Sequence, residues 1–274
     1  MQSVHNKNLW RLDLRTGEYR RLIESSYAQQ IPQYSPDGRR IAFSSDRSGE
    51  WGLWTCEADG ENCQQLITFG RVGGGTPRWS PDGRSIAFDS RAEGTAQIYT
   101  VSADGGSPRR LTDGPAENMV PSWSHDGRWI YFLSRRSGQW RVWKAPASGG
   151  DVTQVTHSQG GAALESADGK YLYFFSEDTN ALFRMPVGGG DEKQVAPAVS
   201  GWNNFSVTAE GAYFFSDQKT LQLLDEKIGL IRTVARLKEH SGPNGITVSP
   251  DDAYLVFSEG SNVRNELMLV EGFR

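Results

Sequence analysis

Several residue types that betray common chemistries are scarce in this 274-residue chain. There are two cysteines, Cys56 and Cys63, too few for a disulfide-stapled scaffold. There are four histidines, His5, His125, His157 and His240, and none has a His or Cys at metal-ligand spacing. No apolar run approaches the roughly 18 residues of a membrane span. The longest aromatic stretch is Tyr171-Leu-Tyr-Phe-Phe175, and Met1 to Lys7 show no h-region, so a secretory leader is not expected. Neither charge sign dominates: 29 basic and 33 acidic residues leave a formal charge of −4, without the basic surplus of a non-specific nucleic-acid binder. No Gly-x-Ser-x-Gly elbow occurs, which excludes the hydrolase half of a propeller-bearing peptidase. Gly73-Gly-Gly75 lacks the Lys of a phosphate loop and the remaining glycine of a dinucleotide fingerprint. No segment reads as a long amphipathic helix.

Glycine and aromatics are plentiful, with 31 Gly and nine Trp, a composition too rich for disorder. The glycines recur in order: Ser35-Pro-Asp-Gly38, Ser80-Pro-Asp-Gly83, Ser124-His-Asp-Gly127, Ser166-Ala-Asp-Gly169, Thr208-Ala-Glu-Gly211 and Ser249-Pro-Asp-Asp252. Their acidic residues fall at 37, 82, 126, 168, 210 and 251, in steps of 45, 44, 42, 42 and 41. This is the period of one four-stranded propeller blade. In each unit a short strand precedes a tight turn in which Pro presets φ, Asp bonds its own backbone and Gly takes the left-handed position. A β-forming strand follows, such as Ile41-Ala-Phe43 or Ile86-Ala-Phe88, then a polar loop, a third strand (Leu53-Trp54, Ile98-Tyr99), a second Gly turn and a fourth strand. The turn chemistry accounts for the Asp residues, so calcium ligation is not invoked.

The expected fold is all-β: one domain over 1–274, a six-bladed β-propeller of four-stranded antiparallel blades. Asn8–Leu14 and Tyr19–Ile23 read as the third and fourth strands of a blade without a first half. Joining them to the last unit (Ile246–Ser249, Tyr254–Ser258) closes the ring and removes exposed edges. Glu266–Val270 would then be a surplus third strand, which keeps a truncated seven-bladed ring as the alternative.

The Ser-Pro-Asp-Gly-Arg anchor, the Ile-Ala-Phe strand and Arg109-Arg-Leu-Thr112 resemble the WD-like repeats of TolB-like propellers of the bacterial periplasm. A narrower resemblance rests on Tyr171-Leu-Tyr-Phe, Met185-Pro-Val-Gly-Gly-Gly190, Trp202-Asn-Asn-Phe-Ser-Val207 and Leu267–Arg274. These look like the C-terminal propellers of bacterial winged-helix transcriptional regulators and of serine/threonine kinases of similar build. The resemblance implies a sensor or interaction region in an extracytoplasmic, membrane-tethered protein, with a cytoplasmic location as the alternative. No helix-turn-helix or kinase loop is present, so the chain itself is expected neither to bind DNA nor to insert into a membrane.

Candidate sites follow from geometry. Cys56 and Cys63 flank a turn centred on Asp59-Gly60, which would set them opposite each other and able to bond. The residue before each anchor is Tyr34, Trp79, Trp123, Glu165, Val207 or Val248; a carboxylate at the fourth position is costly unless paired, by an Arg or channel water. The axial candidates are Gln33, Arg78, Ser122, Glu165, Ser206 and Asn244, with Arg78, Glu165 and Asn244 marking the channel. The long second-to-third and blade-to-blade loops, including 69–76 and 239–244, share one face, and variable loops on a rigid scaffold usually carry function. That face would hold Arg47, Trp51, Arg71, Arg91, Arg135, Arg136, Trp140, Trp202 and Asn203, with Arg and Trp as anchors. The expected function is non-catalytic binding of a protein or small anionic ligand there, with no cofactor or metal. The alternative is a lactonase- or sugar-dehydrogenase-type enzyme with a metal or cofactor in the channel.

Overall fold

The computed structural model describes residues 7–71, 75–237 and 242–260. Its first strands, β1 (Lys7–Asp13) and β2 (Tyr19–Ile23), belong to the last blade. Blade one is β3 (Gln29–Tyr34), β4 (Arg40–Ser45), β5 (Trp51–Glu57) and β6 (Gln64–Gly70). Blade two is β7 (Arg78–Trp79), β8 (Ser85–Ser90), β9 (Gln97–Ser102) and β10 (Arg109–Arg110). Blade three is β11 (Asn118–Trp123), β12 (Trp129–Ser134), β13 (Arg141–Pro146) and β14 (Thr153–Gln154). Blade four is β15 (Ala163–Glu165), β16 (Tyr171–Ser176), β17 (Ala181–Pro186) and β18 (Lys193–Ala196). Blade five is β19 (Phe205–Val207), β20 (Gly211–Phe215), β21 (Thr220–Asp225) and β22 (Leu230–Arg236). Blade six is β23 (Ile246–Val248) and β24 (Tyr254–Gly260), completed by β1 and β2 in the order β23-β24-β1-β2. This is the six-bladed ring read from the repeats. β1 occupies the third position beside β24, so no seventh blade is needed; Glu266–Val270, the candidate surplus strand, lies outside the described residues.

The second strand of each blade is buried on both faces because every blade is sandwiched between two others; Ile41, Ala42 and Phe43 are wholly enclosed. Outer strands are wet, and β22 exposes Leu230 and Ile231. The anchors are side-chain-locked turns. In five of them the Ser hydroxyl donates to the Asp carboxylate at 2.6–2.7 Å and accepts the amide five residues on. The turns also touch around the axis: a Cβ on Gly38 would lie 3.3 Å from Pro250 Cδ, and one on Gly169 3.4 Å from the His125 side chain. Both glycines have φ near +70°, so backbone geometry and close approach select Gly together.

Blades fit by complementary volume. Where the second strand offers Ala42 or Ala87, the next blade supplies Trp79 or Trp123 against it. Each indole N–H also donates to the preceding blade, Trp79 to the Gln33 carbonyl at 3.2 Å and Trp123 to the Arg78 carbonyl at 3.1 Å. Where the strand offers Tyr131, its ring fills that space and Glu165 replaces the indole. Glu165 Oε1 accepts the Tyr131 hydroxyl at 2.6 Å and Oε2 the His125 amide at 2.7 Å. The carboxylate expected to need an Arg or water is therefore satisfied by the neighbouring blade. Tyr173 and Tyr213 face the smaller Val207 and Val248, and their hydroxyls bond Glu226 and Asp252. Val256 completes the ring opposite Tyr34.

Cys56 and Cys63 are bonded, with Cα atoms 4.1 Å apart. The turn differs by one residue from the expected one: Gly60 N donates to Glu57 O, so Ala58-Asp59 are central. Asn62, at φ 51°, forms a bulge that restores the register and sets the cysteines opposite.

Three outcomes are expected. Thiol titration of the denatured, unreduced protein finds no free sulfhydryl, and the Cys56→Ser/Cys63→Ser double variant loses about 2 kcal/mol of stability, the value for so short a loop. Tyr131→Ala costs about 3–4 kcal/mol through a cavity and an orphaned Glu165; Tyr131→Ala/Glu165→Trp, which recreates the Ala–Trp pairing, is more stable than Tyr131→Ala in denaturant titration. The anchor carboxylates set the acid response. The Ser35, Ser80 and Ser249 hydroxyls lower Asp37, Asp82 and Asp251; the Arg128 amide and then Ser124 bring Asp126 to about 2; Lys170 and then Ser166 lower Asp168. Folded pKa values below the unfolded value of about 3.9 give stability that is complete above that pH and lost as pH falls toward 2. Melting temperature should therefore be flat from pH 7 to about 5, drop between about pH 4 and 2, and drop less steeply in Asp126→Asn.

Candidate functional site

The inner strands bring the residue two before five of the six anchors to the centre of the ring: Gln33, Arg78, Ser122, Leu164 and Ser206. A cavity of about 190 Å³ lies there, lined among others by Gln33, Arg78, Ser122, Glu165, Ser206 and Ile246. It widens into a mouth of about 420 Å³ on the short-turn face, collared by Pro36, Pro81, His125, Ala167, Ala209 and Pro250. Of the three predicted channel residues, Arg78 and Glu165 line this cavity. Asn244 does not: it accepts a hydrogen bond from Asn203 Nδ2 at 3.0 Å, and blade six contributes Ile246 to the lining instead.

Arg78 is buried, 7% exposed, and burial lowers its guanidinium to about 10, opposed by the charge of Asp89. Its Nη1 donates to the Pro77 carbonyl at 2.9 Å, whereas Nε is buried without a partner, as is Ser122 Oγ. Asp89, which the sequence reading missed, is also buried, and burial pushes its carboxyl up. Its Oδ1 accepts the amides of Thr76 at 2.9 Å and Val120 at 3.3 Å, tying the entry of blade two to that of blade three. Val120 has φ 54° and Ile31, at the equivalent position, φ 55°, strained values for β-branched residues. The signal for Asp89 was the single acid in a position that is Ser44 in blade one.

On the long-loop face the predicted cations differ in setting. The Arg47 guanidinium lies over Phe43 and Trp54 at 5.1 and 4.9 Å, and burial lowers its pKa. Arg136 lies over Phe132 and Trp143 and donates to Asn118 Oδ1 at 3.0 Å. Arg91 forks onto Glu117 at 3.0 and 3.3 Å. Arg71 is exposed, and the exposed Arg135 stacks over Trp140 at 5.3 Å. Trp140 and Trp202 are half-buried against one cluster that includes Phe175 and Phe205, while Trp51 packs on a separate cluster in blades one and two. Asn203 is buried. The structure thus joins Arg135, Trp140 and Trp202 on one side and leaves Trp51 and Arg71 on the other. Residues 72–74 and 238–241 of the loops 69–76 and 239–244, together with His5, His240 and the Leu267–Arg274 motif, lie outside the described residues.

The model of the TolB β-propeller domain matches residues 70–185. An uncharacterised protein of Agrobacterium fabrum is 32% identical over 59 residues, which span 22% of this chain and 20% of that protein. Among solved structures, a putative TolB from Agrobacterium tumefaciens superposes with TM-score 0.75 at 22% identity, covering 94% of this chain and 99% of that one. TolB from Acinetobacter baumannii superposes with TM-score 0.65 at 17% identity, covering 95% and 65%. The chain is a six-bladed β-propeller, similar in fold to these TolB structures.

Proposed function

We propose that the chain is a non-catalytic binding propeller whose long-loop face docks an acidic segment of a protein partner. The observation that carries this reading is Arg135, exposed and stacked on Trp140 beside Trp202, on loops held by a rigid ring. A cation preorganised over an aromatic ring loses little side-chain entropy on binding, and Arg and Trp are the usual interface anchors. The proposed setting is the interaction or sensor region of a larger bacterial regulator, as the narrower sequence resemblance suggests. The bonded Cys56–Cys63 pair supports an extracytoplasmic place for it, since cytosolic thiols are kept reduced. The enzyme alternative needs metal or cofactor ligands converging on the axis. The cavity is lined among others by Gln33, Arg78, Ser122, Leu164, Glu165 and Ser206, its one carboxylate is already bonded to Tyr131 and His125, and among the described residues no group of three or more His, Cys, Asp or Glu could hold a metal.

The test is capture of a partner from a bacterial envelope extract by the immobilised chain. Arg135→Ala with Trp140→Ala should reduce capture about tenfold or more, consistent with hot-spot losses, and Arg135→Ala alone, which leaves the Trp140 packing in place, should weaken capture with the melting temperature nearly unchanged. Capture should also weaken with added salt. Loss through Arg128→Ala on the short-turn face, with Arg135→Ala/Trp140→Ala binding normally, would place the site at the other end. Arg47 and Arg136 are less suitable probes, because their guanidinium groups pack on their own blades.

A further inference from the structure

The buried guanidinium of Arg78 is not explained by the fold. The same register position in the other blades carries Gln33, Ser122, Leu164, Ser206 and Thr247, so the ring closes without a cation there. Arg78 is 93% buried by area, 7% remaining exposed, yet no carboxylate lies within ion-pair distance of it among the described residues. The acids nearby are committed elsewhere. Glu165, on the same cavity, holds the His125 amide and the Tyr131 hydroxyl, and Asp89 binds two backbone amides and acts on Arg78 only through its field. A buried, unpaired cation is strongly unfavourable. Its Nε–H and the Ser122 hydroxyl are both buried and without partners, and both belong to residues that line the cavity. The cavity of about 190 Å³ holds some six waters at roughly 30 Å³ each, enough for a small ligand. It opens through the proline-rich collar to the short-turn face.

We propose that the central channel is a small-anion site, in which the Arg78 guanidinium and the Ser122 hydroxyl donate to the oxygens of a small carboxylate or inorganic oxyanion entering through the mouth. The site is distinct from the long-loop docking face and stands or falls separately. The channel walls keep the pair at low dielectric, where a charge-assisted hydrogen bond is strengthened.

The test is calorimetric titration of the full chain with acetate and, separately, with inorganic phosphate at constant ionic strength. The two arms distinguish a carboxylate from an oxyanion. At least one should bind saturably at one site per chain, raising the melting temperature by linkage. Arg78→Gln and Arg78→Met should weaken binding at least about tenfold, and Ser122→Ala about threefold, as expected for a charged and a neutral hydrogen bond. Arg78→Met should melt higher than the wild type in anion-free buffer, because it removes an unpaired buried charge. Arg135→Ala should bind the anion normally, so failure here leaves the docking face unaffected. No saturable binding of either anion up to about 50 mM, a range that covers millimolar affinities, would overturn the proposal. So would undiminished binding by Arg78→Gln, or failure of both Arg78 variants to fold, which would make the guanidinium a structural group.

Discussion

The pairing of the two chain ends holds every other feature in place. β1 runs antiparallel to β24 in unbroken register, from Lys7 opposite Gly260 to Asp13 opposite Tyr254. Without that seam the ring would present open sheet edges and unpaired backbone donors. The seam is also hydrophobic. Leu9 packs with Val256, Phe43 and Tyr34, and Leu12 with Leu255, Phe257 and Tyr213, so β1 contributes to both neighbouring inter-blade cores. Because these contacts join residues some 250 positions apart, closure is the least local event in the fold. The channel, with walls drawn from all six blades, exists only once it has happened.

Within the closed ring, packing between blades is a matter of matched volumes. Small second-strand residues meet indoles, and tyrosines meet valine or a carboxylate. The exchange of Trp for Glu165 is a local solution to one problem: the Tyr131 ring already fills the space, and its hydroxyl, buried between blades, requires an acceptor. The burial and the carboxylate both push the Tyr131 hydroxyl up in pKa, which keeps it a donor. A position that looks anomalous along one repeat is thus regular once the preceding repeat is considered.

That distinction explains what was legible in the sequence. The six anchors at near-equal spacing report a backbone requirement, a side-chain-locked turn at fixed phase, and such requirements recur in the same place in every unit. Blade number, strand order, the orphan half-blade at Asn8–Ile23 and the opposition of Cys56 and Cys63 all follow from it. The partner of Glu165 did not, because it lies 34 residues away on another blade and depends on a single Tyr-for-Ala change. The axial register was half legible. Blade six brings Ile246 rather than Asn244 to the cavity, and in blades one and three the entry bulges at Ile31 and Val120 shift what precedes the axial residue. The charge of the long-loop face was visible as composition, but whether an Arg is spent on its own blade, as Arg47 and Arg136 are, depends on aromatic neighbours across a hairpin.

The two ends of the molecule are joined through one short segment. Thr76 closes the long loop that begins at Phe69, its amide is held by Asp89, and two residues later Arg78 enters the channel. Asp89 reaches Val120 as well, where the backbone is held at a positive φ that a β-branched residue resists. Strain of this kind persists only where surrounding bonds over-determine it, and here those bonds come from a carboxylate whose own burial pushes it toward neutrality. Protonating or removing Asp89 would weaken its hold on both amides and loosen the fixed orientation of Thr76–Arg78. The geometry of the channel cation is therefore set from the long-loop side, while access to it is from the short-turn side. Stiffness between them comes from the ladder pairing Arg78 with Ala87 and Trp79 with Ile86. A rigid ring with a strained, carboxylate-tied entry on one side and an unpaired cation beneath it concentrates its unfavourable energies along the axis, where residues from every blade can hold them in place.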